Sequence, residues 1–193
     1  MTTTPVAPVV ASTPRLLLLG GAGLVVGAAL ELGSGILQSL LPQSALGFIP
    51  PIVLAVAAVL LALGGVGGRS VLARIGLFVY AAAHVILVIA SIAAMTGNVI
   101  ELLFPLGGTL LTLGMLVAGI EVARVGAVGG FARWGLLLLG LWMSFIDIAT
   151  FAALDLGGLA NADGPGFIAG LVGVVLLAAE GIAIVVFARA SRR

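Results

Sequence analysis

Hydrophobic residues run through this chain in six long stretches, 16–40, 51–68, 72–95, 104–123, 132–154 and 166–188. In each, apolar side chains occupy nearly the whole helical circumference rather than one stripe, which predicts helices surrounded by lipid or by other apolar helices. Each approaches the roughly 20 residues that cross a bilayer as a helix. Open strands would leave backbone groups unpaired in hydrocarbon, and the alternating segments of about ten residues that a spanning β-barrel needs do not occur. The pattern predicts an all-α polytopic membrane protein, six transmembrane helices arranged as three parallel helical hairpins.

The breaks between stretches carry the turn chemistry. Pro42, Pro50 and Pro51 punctuate the first connection, and Gly164-Pro165-Gly166 opens the sixth stretch. Pro105 interrupts Asn98–Gly108 and leaves open a start of the fourth helix several residues before 104. Residues 1–14, rich in Thr, Pro, Ala and Val, lack helical periodicity and read as a disordered N-terminal tail ahead of a transmembrane domain over 15–193. One Arg followed by a long apolar run, with no convincing cleavage site, predicts a retained first span rather than a signal peptide.

Charge placement adds an orientation. Arg15, Arg69, Arg74, Arg124, Arg133, Arg189, Arg192 and Arg193 all fall where odd stretches begin or even ones end. The alternate connections, 41–50, 96–103 and 155–165, hold no basic residue and carry Glu101, Asp155 and Asp163. The positive-inside rule then puts both termini in the cytoplasm of a multi-pass plasma-membrane protein.

Composition agrees and narrows the chemistry. Hydrophobic residues make up 62% of the chain and charged ones 8%, against roughly 45–50% and 25% in soluble domains. The absence of cysteine removes disulfides, thiolate metal sites and cysteine nucleophiles. The absence of lysine removes Schiff-base chemistry and a phosphate-binding Gly-rich loop ending in Lys. No His-Glu-x-x-His, no Gly-x-Ser-x-Gly and no paired metal-ligand spacing occurs, and the short loops hold no basic cluster dense enough for nucleic acid. We therefore expect no enzymatic activity and no cofactor. The expected partners are the lipid bilayer and either a second copy or another membrane protein.

Arg15, Arg74 and Arg133 are spaced 59 residues apart, twice over. At that offset Ala73-Arg74-x-Gly76-Leu77 matches Ala132-Arg133-x-Gly135-Leu136, Gly114 matches Gly173, and Glu121 matches Glu180. This predicts three two-helix repeats over about 15–73, 74–132 and 133–189, parallel copies about an axis along the membrane normal. The opening Arg-Trp-Gly-Leu-Leu-Leu-Leu-Gly at Arg133–Gly140 and the glycine-bearing ends of the even stretches, Gly119-Ile120-Glu121 and Glu180-Gly181-Ile182, resemble the HdeD-like acid-resistance membrane proteins. Those are six-span bacterial inner-membrane proteins built from three short two-helix repeats. The resemblance spans 15–189. It implies an association with acid stress and no catalytic residues, and the first copy departs from it at Pro50-Pro51 and at 64–68.

Polar residues inside the stretches are the candidate site: Asp147, Glu180, His84 and Glu31. Such groups are costly at bilayer depth and usually pair, face the bundle interior or line a cavity. Asp147 lies roughly 21 Å along the helix from Arg133 and shares a face with Gly140 and Ser144. It reads either as a protonatable site or as a protonated acid bonded to a neighbouring helix. Glu180, nine residues before Arg189, is placed near mid-depth with the same two readings. Glu31, among Gly27, Ala28, Ser34 and Gly35, reads as reaching interfacial water. His84 reads as an interhelical donor or as a group titrating near neutral pH. Glu121, three residues before Arg124, predicts an interfacial ion pair, and Ala183 stands where Glu180 would need the matching arginine. Gly23-x-x-x-Gly27, Gly64-x-x-x-Gly68 and Gly166-x-x-x-Gly170 have the spacing for close helix approach. Three functions fit: an HdeD-like role in envelope or acid-stress tolerance, a small proton-coupled transporter or channel using the buried acids and His84, and a packing subunit of a larger membrane complex.

Overall fold

The computed structural model describes residues 13–40, 48–98, 100–155 and 163–192, with side chains throughout except at 35–40, 147–155 and 163–169. The N-terminal tail before Thr13, most of the first connection and the loop after Asp155 lie outside the described residues. The elements are α1 (Pro14–Leu40), α2 (Ile49–Gly64), α3 (Val71–Met95), α4 (Leu103–Val125), a 3-10 turn (Gly130–Arg133), α5 (Gly135–Asp155) and α6 (Asp163–Ala190).

The boundaries follow local chemistry. Pro50 and Pro51 do not end the first connection. They sit in the opening turn of α2, where a missing N–H costs nothing. Pro105 likewise occupies the first turn of α4, which begins at Leu103, one residue before the expected 104. The second stretch stops at Gly64 instead of 68, because Gly65 and Gly68 adopt φ of 78° and 59° and turn the chain back. Ser70 then caps α3, its Oγ accepting from the Ala73 N–H at 3.2 Å. The fifth helix starts at Gly135, not 132, because Gly130–Arg133 is wound as the 3-10 turn. There Arg133 donates from Nε to the Ala123 carbonyl oxygen at 2.8 Å, capping the C-terminal turn of α4.

Each helix packs on its neighbours in sequence, and α1 also packs on α6, so the six close into a ring. Consecutive helices run antiparallel, and with an even number the closing pair is antiparallel too. Among the described residues the α3–α4 contact is the most extensive and the α5–α6 contact the least. A single apolar core draws on every helix, with Leu24, Leu61, Leu77, Met115, Leu136 and Ile184 among its most buried members. Glycine sets the closest approaches. Gly76 of α3 and Gly114 of α4 face each other: a Cβ at Gly76 would lie 2.7 Å from the Gly114 carbonyl oxygen and one at Gly114 would lie 2.6 Å from the Tyr80 backbone nitrogen. Gly21 and Gly181 close the ring in the same way between α1 and α6.

The small-residue spacings divide. Gly23 and Gly27 meet Ala57 and Leu54 of α2, so this motif is spent on packing within the chain. Gly64 meets Leu17 but Gly68 belongs to the turn, and Gly170 has no heavy atom within 4 Å of where its Cβ would sit.

Outward faces remain apolar, with Val26, Val56, Val85, Leu113, Leu141 and Val186 all more than half exposed, which suits a lipid surrounding rather than water. Among the described residues four helical segments are long and apolar enough to cross a membrane, Pro14–Ser34, Val71–Met95, Leu103–Val125 and Gly170–Ala190; Ile49–Gly64 and Gly135–Ile146 are shorter apolar segments. At 1.5 Å per residue, α2 reaches only about 24 Å.

Candidate functional site

Two carboxylates related by the 59-residue offset have opposite surroundings. Glu121, in the last turns of α4, is fully engaged. Its Oε2 accepts from Ser70 Oγ at 2.7 Å, and Arg124 donates to both of its oxygens, at 3.0 and 2.8 Å. The ion pair expected from the i,i+3 spacing is present, and it also ties the α3 N-cap to the end of α4.

Glu180 has none of this. Its side chain is wholly buried, and neither carboxylate oxygen has a hydrogen-bond partner among the described residues. The cause is visible in the sequence at the same offset: Gly129 stands where Glu121 finds Ser70, and Ala183 stands where it finds Arg124. Arg133, two residues before Gly135, gives its Nε to the Ala123 carbonyl and lays its guanidinium against Trp134, 5.3 Å from the ring centroid. The carboxylate rests instead on Gly135, the first residue of α5. A Cβ there would overlap Glu180 Oε2 and lie 2.6 Å from its Cδ and 2.9 Å from Phe131 Cε1.

That contact puts Glu180 level with the opening of α5, two residues beyond Arg133. Register sets this level. Gly76 meets the α4 backbone at Gly114 and Ala118, but Gly135 meets Glu180 and not Gly173 or Leu177, the residues at the matching offset. Relative to α3–α4, the α5–α6 pair is slid by close to one turn.

The other candidates lie elsewhere. His84 is buried, and its Nδ1 donates to the Tyr80 carbonyl oxygen of its own helix at 3.0 Å. Its ring packs on Tyr80 with centroids 4.5 Å apart. The hydrogen bond lies within α3. Glu31 is half-buried, its backbone carbonyl accepts from Ser34 Oγ at 3.0 Å, and its carboxylate lies within electrostatic reach of Tyr80. Glu180 lies apart from Glu31: the adjacent Gly181 meets Gly21, Leu24 and Val25, and Glu31 is six to ten residues, roughly 9–15 Å, farther along α1. The Asp147 side chain lies outside the described residues. Its backbone is twelve residues, roughly 18 Å, along α5 from Gly135 and so far from the level of Glu180.

Ser70 and Gly135 are the participants that the sequence reading did not single out. A serine directly before an apolar helical run is a recognised capping signal, and Gly135 was already visible as the match of Gly76. Among the described residues no group of three or more His, Asp or Glu side chains is placed to hold a metal ion. No protein-family model matches the chain, and no curated protein or solved structure matches it.

Proposed function

We propose that this chain is a six-span integral membrane protein of the HdeD-like kind, with both termini in the cytoplasm, acting in envelope or acid-stress tolerance and not in catalysis. The carrying observation is how its interior polar groups are used. His84, Ser91 and Ser144 bond to carbonyls of their own helices, and Glu121 ties Ser70 and Arg124 together. The first three are spent within their own helices, and Glu121 on tying the start of α3 to the end of α4. The apolar outer faces and the arginines at one end of the ring support a bilayer setting. The second reading, a proton-coupled transporter or channel, draws on a single observation, the unpartnered Glu180. The separation of Glu180 from Glu31, His84 and the Asp147 backbone counts against a shared pathway.

Deletion and flux separate the two. Under the proposed reading, loss of the chain lowers survival in acid, and Asp147→Asn with Glu180→Gln restores it as well as the natural sequence does. Proton flux into liposomes that is carried by the natural chain and abolished in that double variant would replace the reading with coupled transport. Sidedness is read from single cysteines at Gly129 and Thr96 on the cysteine-free chain: an impermeant thiol reagent added to intact cells should label Thr96→Cys and spare Gly129→Cys.

A further inference from the structure

Three features converge at Glu180. Its carboxyl group is sealed from solvent and has no hydrogen-bond donor among the described residues. The space it fills exists because residue 135 has no side chain. Charged groups around it are few. On α5 no titratable residue occurs from Gly135 to Ile146, on α1 none occurs between Arg15 and Glu31, and on α6 the next is Arg189. From the 3-10 turn, Arg133 is held by Ala123 and Trp134. An ionised carboxylate in such a place lacks the paired charge or hydrogen bonds that buried charges need. The positive end of the α5 dipole is the one feature that favours the anion.

We propose that Glu180, seated in the Gly135 notch between α5 and α6, is a proton-binding site. In the packed state one carboxyl oxygen carries the hydrogen and the group is neutral. On release the proton passes to water and the bonding electron pair stays on the carboxylate, beside the opening turn of α5. Among the described residues the α5–α6 seam is the least extensive contact between neighbouring helices, and we take that seam as the route to water. The site is independent of the stress reading above, since a proton can be held there with or without flux.

Infrared difference spectroscopy on the full chain in detergent, natural sequence minus Glu180→Gln at neutral pH, tests it. The expected result is the carbonyl band of a protonated carboxylic acid, shifted in deuterated water, present in the natural chain and missing from the variant. Ionised-carboxylate bands in its place would overturn the proposal. Should the variant fail to fold, the unaltered chain is treated with a hydrophobic carbodiimide and mapped by mass. The acid proton moves to a reagent nitrogen, the carboxylate oxygen bonds to the central carbon, and rearrangement to an N-acylurea keeps the whole reagent mass on the protein. An adduct on Glu180 and none on Glu121, whose carboxylate is held by Arg124 and Ser70, supports the site. No adduct on Glu180, or equal modification of both, overturns it.

Discussion

Gly108 and Gly114 lie on the same helix, six residues apart, and the same substitution should have opposite effects at the two. A Cβ at Gly108 meets no heavy atom within 4 Å, whereas one at Gly114 would lie 2.6 Å from the Tyr80 backbone nitrogen and 2.7 Å from the Gly76 carbonyl oxygen. Both Gly→Ala changes gain the helix propensity of alanine, about 1 kcal/mol. Only Gly114→Ala meets backbone that cannot rotate away, so α3 and α4 must separate, at an overpacking cost of about 1–3 kcal/mol. Because the propensity gain is common to both, the difference between the variants isolates that cost. We expect Gly114→Ala to be less stable than Gly108→Ala by about 1–3 kcal/mol, towards the upper end because the clash is with main chain. The assay is reversible unfolding in mixed micelles followed by circular dichroism, with both variants and the natural chain in one lipid–detergent composition. Equal stabilities, or a Gly114→Ala chain more stable than its Gly108→Ala counterpart, would refute the close α3–α4 approach. Adding Gly76→Ala to Gly114→Ala should cost less than it does alone, because the first methyl has already moved the helices apart.

Gly135→Ala should destabilise by about 1–3 kcal/mol, since its methyl enters the space of the Glu180 carboxylate; in a Glu180→Ala background the same change should become neutral or stabilising, and a double-mutant cycle with no coupling would rule out the contact. Ser70→Ala should cost about 0.5–2 kcal/mol as a lost N-cap, with Glu121 left on Arg124 alone; amide exchange in the first turn of α3 should accelerate, and unchanged protection at Ala73 would contradict the cap. Glu180→Met keeps the length of the side chain and removes two oxygens without partners, so it should match or exceed the natural stability, by up to about 1–3 kcal/mol. Its unfolding midpoint checks this, and a large loss would mean that the carboxyl has a partner.

What the sequence made legible was the part that depends on the order of residues along one helix. All six helices were anticipated near their observed limits, because proline, glycine and the arginines mark the breaks between apolar runs. The Glu121–Arg124 pair was legible because residues three apart on a helix are neighbours. What depends on the axial register between helices was not. Ser70 and Glu121 are 51 residues apart, and no periodicity connects them. Glu180 faces Gly135 through the slide of α6 along α5, which neither helix's own sequence announces. In helices apolar on all sides the usual guide to the inward face is weak. The inward turn of Gly23 and Gly27 and the open surroundings of Gly170 therefore emerge only from the packing.

The contrast between Glu121 and Glu180 explains why the orphaned carboxyl matters more than the paired one. Glu121 is accounted for by the fold: it joins an N-cap, an arginine and a helix end, and an apolar residue there would lose all three contacts. Glu180 adds nothing comparable, since an apolar side chain of the same length would fill the Gly135 notch without leaving polar atoms unbonded. A bundle whose only requirement was tight packing would be better served by that substitution. The adjacent Gly181, pressed against Gly21 where the ring closes, holds this turn of α6 between α1 and α5, so the carboxyl group cannot swing out to lipid or water while the ring stays closed. Its ionisation is thereby tied to the α5–α6 seam, and a change of charge at this one residue acts on the packing of α6 against the opening turn of α5.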